Sequence, residues 1–484
     1  MIHAQKGVSR LSKQSSSESY DIAVIGAGPG GYTAAIRAAQ LKVKVILVEE
    51  KKVGGTCTNV GCIPTKSLLN SLELLSEVKK AEALGLSVGN FKVDLSELMR
   101  RKNEVVSRLI QGIEFLLQSN GVRIFFGRGA MTRDKKVEIT QRNCVKKVID
   151  AHKIIIATGS RPARLPVSVQ ESENVMLPED ALDFSEIPPR LAIAGGGFEG
   201  IEFAYIFSKL GSQVTVLETM PHILPREDHE ITQYLHHKIV KDGIKVKTNA
   251  EIMNVKDSAG HQIIQTRIKG QEMTINAEKL LVSLDRRPRL ENLGLEELGV
   301  EVVDGRIAVN EKMETNVADV YAVGDASGGA YAHEAMEGGI IAAENAVKKE
   351  SNSRMDWSVI PRCLFTVPQV AAVGLTEEEA KKRGVDVKVG RFYFAANARA
   401  LTLDDYEGLV KMITDAESQE ILGVHIVGPN ASELIAEAAL AMRLEATPED
   451  IIRTMHAHPT LSEALREAAM DVNGQSIHRF KGRS

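Results

Sequence analysis

Two cysteines stand five positions apart in the run Gly54-Gly55-Thr56-Cys57-Thr58-Asn59-Val60-Gly61-Cys62-Ile63-Pro64-Thr65-Lys66. Two thiols this close can work as a dithiol/disulfide couple or contribute to a metal site. A metal site wants further ligands at Cys-x-x-Cys spacing, and none are near, so no metal is expected. On a regular helix the five-residue offset would hold the two Cα atoms about 8–9 Å apart, whereas a disulfide needs less than about 7 Å. A Cys57–Cys62 bridge therefore requires distorted backbone, which Gly61 and Pro64 permit. Strain of that kind makes a disulfide easier to reduce. The next residues, SLLNSLELLSEVKK, have the apolar spacing of an amphipathic helix, and a helix N-terminus lowers a thiol pKa. Cys144 and Cys363 lack such context and read as ordinary buried thiols. Four cysteines in 484 residues are no disulfide scaffold. The expected compartment is reducing, and a disulfide there is catalytic rather than structural.

A second set lies near the C-terminus, in Met455-His456-Ala457-His458-Pro459-Thr460-Leu461-Ser462-Glu463. Histidine is the side chain suited to moving protons near neutral pH, and thiol–disulfide exchange needs a base for the incoming thiol. Glu463 could orient the imidazole of His458 and stabilise its protonated form, and Pro459 could hold the loop through a cis bond. Taken alone, a His-Pro before a helix is more often a turn and cap than a catalytic site.

These residues must be positioned by larger elements, and two of those are legible. YDIAVIG reads as a buried parallel strand, followed by Gly26-Ala27-Gly28-Pro29-Gly30-Gly31, a helix through YTAAIRAAQL and a strand VKVILVE ending in Glu49, 23 residues beyond Gly26. This is a GxGxxG turn in its full strand–helix–strand setting, with an acid placed to accept from a ribose. Glycines let the backbone approach a pyrophosphate, and the helix N-terminus stabilises its charge. A second unit, RLAIAGGGFEGIEFAYIFSKLGSQVTVLE, carries Gly195-Gly196-Gly197-Phe198-Glu199-Gly200 and ends in Glu218. An acid there favours NAD over NADP, whose 2′-phosphate it would repel. Residues 219–225 hold no arginine, and Arg226 reads as a loop residue. Two further segments point to a flavin in the first unit. TNVADVYAVGD, Thr315–Asp325, reads as a strand ending in an Asp able to reach ribityl hydroxyls, and HKIIIATGS at 152–160 reads as the strand from which the chain leaves for the second unit.

The bulk numbers exclude other classes. A chain of 484 residues exceeds one core and implies three or four domains. A formal net charge of −4, spread along the chain, gives no support for nucleic-acid binding. No run approaches the roughly 18–20 apolar residues of a membrane span. Residues 1–19 are Ser-rich, with Lys6, Arg10 and Lys13 ahead of Glu18 and no apolar signal region. They read as a flexible tail, and the protein as cytoplasmic; a short leader to the mitochondrial matrix is the alternative.

Together the motifs resemble the pyridine nucleotide-disulfide oxidoreductase family over about residues 20–478, and most closely its dihydrolipoamide-oxidising members. GGTCTNVGCIPTK is similar to the family's redox-active segment and HAHPTLSEALREA to a C-terminal signature, while RCLFTVPQVAAVGLTEEEA and EILGVHIVGPNASELIAEAALAM resemble its interface domain. The implied fold is α/β: two Rossmann-like, three-layer nucleotide-binding domains, the NAD domain inserted into the FAD domain, and a C-terminal α+β dimerisation domain. The expected divisions are a flexible tail (1–19), a first FAD-binding part (20–155), the NAD-binding domain (156–284), a second FAD-binding or central part (285–355) and the interface domain (356–484).

By the same resemblance, Cys57 is the interchange thiol, Cys62 the thiol facing the flavin, Lys66 the lysine beside flavin N5 and Glu202 its partner, with His458 the base and Glu463 its orienting acid. The base comes from the other subunit, so a homodimer is part of the implied mechanism. Gly26, Gly28, Gly31, Glu49, Gly55, Thr56, Lys66, Gly129, Thr158, Gly159, Asp325, Ala332 and His333 are expected to line FAD. Gly195, Gly197, Gly200, Glu202, Glu218, Ile252 and Asp285 are expected to line NAD. The implied reaction oxidises a dihydrolipoyl arm with NAD+. No lipoyl domain is present in the chain, so the arm belongs to a carrier protein: the acyltransferase of a 2-oxoacid dehydrogenase complex or a glycine-cleavage H-protein.

Three residues depart from the family's pattern. Glu199 replaces an apolar or aromatic residue near the nicotinamide–flavin contact, where a buried acid is costly or titrates high. Asp285, in LVSLDRRP, replaces a glycine, and Lys42 replaces a glycine in a turn. Alternative readings are a related NAD(P)H-dependent flavin disulfide reductase, or a paralogue serving another disulfide or an unusual lipoylated carrier. Glutathione-reductase-like members carry arginines where this chain has none, and mercuric-reductase-like members have a C-terminal cysteine pair, whereas no cysteine follows Cys363. A catalytically silent binding subunit predicts at least one lost chemical residue, and all are present.

Overall fold

The computed structural model describes residues 19–479 except 168, 170, 171, 259 and 349. The expected flexible or targeting tail therefore lies, but for Ser19, outside the described residues. The first strand, β1 (Ser19–Ile25), is apolar and buried over Ile22–Ile25, as a central parallel strand must be. It leads through the glycine turn into α1 (Pro29–Gln40), which starts with proline, where the missing N–H costs nothing. Lys42 closes the turn after α1 at φ 68°, tolerated as a single exposed left-handed residue. β2 (Val45–Glu49) then pairs in parallel with β1.

Helices α2 (Gly55–Val60), α3 (Cys62–Lys80) and α4 (Leu95–Ser119) follow, the last capped by Asp94, which accepts from the N–H groups of Ser96 and Glu97. Next come β3 (Arg123–Phe126), β4 (Arg128–Met131), β5 (Val137–Thr140) and β6 (Lys146–Ile156). The sheet runs β3-β2-β1-β6-β5-β4, parallel from β3 to β6 and antiparallel across β6-β5-β4.

From β6 the chain crosses, by way of β7 (Ser160–Pro162), into a second unit. That unit holds β8 (Val175–Met176), β9 (Arg190–Ala194), α5 (Phe198–Leu210), β10 (Gln213–Leu217), α6 (His229–Lys241) and β11 (Lys245–Lys247). An antiparallel trio, β12 (Ala250–Ser258), β13 (His261–Ile268) and β14 (Gln271–Ala277), precedes β15 (Lys279–Val282). The order β11-β10-β9-β15-β8 is wholly parallel. The chain returns through β16 (Arg286–Pro288), which pairs antiparallel with β7, so outward and return crossings lie side by side.

Past α7 (Leu295–Leu298) and a small hairpin of β17 (Val302–Val303) and β18 (Arg306–Ile307), β19 (Val320–Ala322) joins the first sheet beside β6. The first sheet is thus completed only after the second unit has been made, which is the insertion expected. The strand anticipated over Thr315–Asp325 is shorter. A turn occupies the residues before it, with Asp319 at φ 66°, and a 3-10 turn over Gly324–Ser327 follows. Helix α8 (Ala332–Val347) lies on α1 through small faces: Ala34, Ala35 and Ala38 share a core with Ala342, Ala343 and Ala346. A Cβ at Gly339 would stand 2.4 Å from the carbonyl oxygen of Gly30.

The C-terminal part is an antiparallel sheet in the order β20-β21-β24-β23-β22, built from β20 (Arg362–Leu364), β21 (Gln369–Gly374), β22 (Val387–Tyr393), β23 (Leu409–Asp415) and β24 (Ile421–Gly428). Helices α9 (Glu377–Lys382), α10 (Ala398–Leu403), α11 (Ala431–Arg443), α12 (Pro448–Arg453) and α13 (Glu463–Val472) accompany it. Among the described residues, no helix is long and apolar enough to cross a membrane.

Candidate active site

The cysteine segment is tied to the first glycine turn by Gly54, whose N–H donates to the carbonyl of Ala27 at 2.8 Å. Gly55 is pressed against that turn; a Cβ on it would lie 2.5 Å from Cα of Gly28. The helix that would carry both cysteines is broken at Gly61 (φ −144°, ψ −113°), so Cys57 lies within one short helix, which ends at Val60, and Cys62 begins the next. This is the interruption that the five-residue offset demands. Both cysteines are free thiols, partly buried, and the Cys57 thiol hydrogen-bonds to Cys62.

That bond, the largest effect on each, lowers the Cys62 pKa and raises that of Cys57. Burial opposes the drop at Cys62, and Lys66, one helical turn on, assists it. Lys66 Nζ donates to both carboxylate oxygens of Glu202 at 2.8 Å and lies 4.8 Å from the Phe365 ring centroid. Burial works against the ammonium charge, but Glu202 outweighs it and holds Lys66 above the usual lysine range. Glu202 also accepts from the N–H of Phe365 at 3.2 Å, so three separate parts of the chain meet there.

The two glycine turns are built alike. Glu49 accepts from the N–H groups of Ala27 at 2.8 Å and Lys51 at 2.7 Å; Glu218 accepts from those of Gly196 at 2.7 Å and Met220 at 2.8 Å. Gly26 (φ 102°) and Gly195 (φ 112°) occupy left-handed backbone, and a Cβ there would stand 2.2 Å from the Ala157 oxygen or 2.0 Å from the Ser283 oxygen. Helices α1 and α5 start at Gly28 and Gly197, neither with a side-chain cap. A Cβ would find only Gly55 Cα, at 3.9 Å, near Gly28, and nothing within 4 Å of Gly197. Each turn is an open cradle of backbone N–H groups at a helix N-terminus, fitted to a pyrophosphate, with Gly31 and Gly200 giving the close strand–helix contact behind it.

The other expected FAD residues lie on several separate elements. Gly129 lies against Ile25 and Val48, and Thr56 follows Gly55 in α2. Thr158 donates its hydroxyl to the carbonyl of Arg289 at 2.9 Å, and Gly159 accepts from the N–H of Arg289 at 2.9 Å. Asp325 accepts from the Ser160 hydroxyl. Ala332 opens α8, and His333 stacks on Tyr331 at 5.4 Å with Nε2 2.8 Å from the Pro361 carbonyl. Around the second cradle, Ile252 is buried beside Leu217 in one apolar cluster, and Asp285 is almost fully exposed, paired with Arg226 at 3.6 Å.

His458 and Glu463 stand apart from all of these. Nδ1 of His458 lies 3.0 Å from Glu463, which also accepts from the N–H of Thr460 at 2.8 Å. Burial pushes the Glu463 carboxyl up, but Thr460 and His458 together hold it below the ordinary range. The His458–Pro459 peptide is cis. The imidazole is largely exposed, and among the described residues of one chain no hydrogen bond or ion pair joins it to the cysteines.

Three features escape sequence reading. Cys144 is exposed in a turn at φ 63°, not buried as expected, because the β5–β6 hairpin bends there. Ser283 donates to Glu199 at 3.1 Å. Arg286 bridges the seam between units, with Nε donating to Ser160 Oγ at 2.8 Å. The Arg-Arg-Pro run directly after a strand was the available signal for Arg286.

Residues 20–349 match the family described as pyridine nucleotide-disulphide oxidoreductase, and residues 360–469 match that family's dimerisation domain. The chain is 45% identical over 466 residues to a dihydrolipoyl dehydrogenase of Thermus scotoductus, covering 95% of this chain and 99% of the relative. It is 41% identical over 461 residues to a dihydrolipoyl dehydrogenase of Bacillus subtilis, covering 94% and 99%. Among solved structures, LpdA from Mycobacterium tuberculosis superposes with a TM-score of 0.86 at 27% identity, covering 93% of this chain and 99% of that one.

Proposed function

The chain belongs to the pyridine nucleotide-disulphide oxidoreductase family, and from that premise we propose that it oxidises protein-bound dihydrolipoyl groups to the lipoyl disulfide while reducing NAD+ to NADH. The observation that carries this reading is the polarised Cys57–Cys62 dithiol at the start of α3, beside Lys66–Glu202 and tied to a dinucleotide cradle.

The first cradle fits FAD: Gly28 leaves room for the pyrophosphate while Gly26, Gly31 and Gly55 let the turn pack closely around it, Glu49 suits the adenosine ribose and Asp325 the ribityl hydroxyls, with Gly129, Thr56, Thr158, Gly159, Ala332 and His333 as further contacts. Bound there, FAD supplies the two-electron carrier between thiol and nicotinamide chemistry. The second cradle, with Glu218 at its ribose end, takes NAD+.

In the oxidised protein Cys57 and Cys62 share a disulfide. His458 of the partner subunit takes the proton from one thiol of the arm, and the resulting thiolate attacks Cys57 Sγ. The Cys57–Cys62 bond breaks, and Cys62 leaves as a thiolate stabilised by the helix terminus and Lys66. The second arm thiol then displaces Cys57, releasing the lipoyl disulfide and leaving the dithiol described above. Glu463 orients the imidazole and supports its positive charge. The protein acts as a homodimer, with the matched dimerisation domain bringing His458 to the facing cysteines. Its partner is a lipoylated carrier, and its compartment the reducing cytoplasm, or the mitochondrial matrix if residues 1–19 are a leader.

The test is a substrate panel on the purified yellow protein: dihydrolipoamide with NAD+ and NADP+, then lipoamide, glutathione disulfide and Hg2+ with NADH and NADPH. Dihydrolipoamide with NAD+ should be much the fastest pair. Equal rates with NADP+ would remove the argument from Glu218, and a faster glutathione or mercury reaction would overturn the substrate.

A further inference from the structure

Glu199 is the second residue of α5, directly beyond the open cradle at Gly197. Its carboxylate accepts from Ser283 Oγ at 3.1 Å, and Ser283 itself is buried just past the end of β15. Glu202, the partner of Lys66, lies one turn further along the same helix. The charged groups that face Glu199 are Arg286 from β16, Lys66 from α3 and Glu202 from α5 itself. Arg286 is already engaged through Nε with Ser160, and its buried Nη2 lies 4.0 Å from the Glu179 carboxylate with no hydrogen-bond partner among the described residues.

The layout fixes which end of a dinucleotide meets this carboxyl. Glu218 follows β10, on one side of the central strand β9; Ser283 follows β15, on the other. A ligand in such a sheet lies across the carboxyl ends of the strands with its pyrophosphate at the helix N-terminus. With the adenosine ribose at Glu218, the other half must extend over β15, toward Ser283, Glu199 and the Lys66–Glu202 pair beside the dithiol. That half carries the nicotinamide. Its ring is a cation in NAD+ and uncharged in NADH.

Resting on the NAD+ reading above, we propose that Glu199 is a redox-state discriminator: its carboxylate attracts the cationic ring of NAD+ and gives nothing to the neutral ring of NADH. Burial, only partly offset by Arg286 and Ser283, pushes the Glu199 carboxyl above the ordinary carboxylate range. Its titration therefore falls nearer neutral pH than that of an exposed acid. By linkage, NAD+ binding releases a proton from Glu199, and the preference for NAD+ over the reduced form grows as pH rises through that titration. The device favours release of the reduced product.

The test measures binding rather than turnover, on the oxidised FAD-loaded protein. The probes are NAD+, the unreactive neutral-ring analogue 1,4,5,6-tetrahydro-NAD, and ADP-ribose, which has no ring. In the unaltered protein the ratio Kd(tetrahydro-NAD)/Kd(NAD+) should rise roughly fivefold or more between about pH 5.5 and 8.5, the span of a typical coupling between sites. NAD+ binding should also release protons, read by calorimetry in buffers of different ionisation heat. Glu199→Gln should flatten the ratio and abolish the proton release while leaving ADP-ribose affinity unchanged. Ser283→Ala, which removes the hydroxyl donor to the carboxylate, should keep the rise but move its midpoint to higher pH. A ratio independent of pH in the unaltered protein, or a rise that survives Glu199→Gln, overturns the proposal. Failure of ADP-ribose itself to bind would instead overturn the NAD+ reading on which it rests.

Discussion

At the residue scale, the two thiols are made different by their surroundings. Cys62 stands at the first position of α3, accepts a hydrogen bond from the Cys57 thiol and has Lys66 one turn away, so the thiolate of the reduced pair rests on Cys62. Cys57→Ala removes the donor that contributes most. The titration of Cys62 in the reduced protein, followed by thiolate ultraviolet absorbance, should then move upward. An unmoved titration would assign the effect to Lys66 and the helix terminus alone. Sequence spacing showed that the backbone must break between the cysteines, because that is local geometry. It could not show that Lys66 would meet a carboxylate 136 residues away, which only tertiary packing decides. The Lys66–Glu202 pairing was accessible through family resemblance; Glu199 and the Arg-Arg-Pro run drew notice in the sequence, but their contacts with Ser283 and Ser160 are set by tertiary packing.

At the scale of elements, the glycine turns were legible because each constraint acts within a few residues. Gly26 must accept φ 102°, and a Cβ on it would stand 2.2 Å from the Ala157 carbonyl oxygen. Gly26→Ala should therefore cost about 1–3 kcal/mol in backbone strain and yield a protein that loses its yellow colour on gel filtration; retained flavin would show that the turn can shift. The length of β19 was not legible, since apolar residues also precede it in a turn, where left-handed Asp319 accepts from the N–H of Ile154 at 3.0 Å. The sheet of the C-terminal domain hides another element-level consequence. His425, on β24, is fully buried, with Nε2 2.8 Å from the carbonyl of Leu375 and Nδ1 without a hydrogen-bond partner among the described residues. Burial pushes its imidazole down to about 4, reinforced by Arg362 and Lys411 and opposed by Asp228. The unfolded chain holds this proton at about 6.5 while the folded protein refuses it, so its stability contribution is complete above that pH and is lost as pH falls toward about 4. Of order 2–3 kcal/mol should disappear over that window, seen as a falling urea midpoint that is less steep in His425→Asn. Parallel slopes for the two proteins would remove His425 as the cause.

At the scale of the whole molecule, the proposed mechanism leaves one chain with an incomplete site. His458 is largely exposed and makes no hydrogen bond or ion pair with the cysteines of its own chain among the described residues, while Leu440, Leu444, Met455 and Ile477 leave apolar surface open nearby in sequence. Leu440, Leu444 and Met455 lie within residues 360–469, which match a dimerisation domain. Composition and local pattern carry no trace of this, because a residue that serves a second subunit looks the same in sequence as one that caps a turn. Subunit mixing separates the two possibilities. Cys57→Ala should be inactive for lack of the interchange thiol. His458→Gln should lose about 10²–10⁴-fold in the thiol half-reaction while NADH still reduces the bound flavin. If the base acts across the two-fold axis, a dimer with one subunit of each kind has one dead site, lacking both groups, and one site assembled from the intact Cys57 of one subunit and the intact His458 of the other. Random exchange makes half of the dimers mixed, so two inactive preparations, dissociated and reassociated together, should recover about a quarter of normal activity from the isologous interface alone. A base acting within its own chain leaves every site in the mixture short of one group, and the activity then stays at the level of the separate variants.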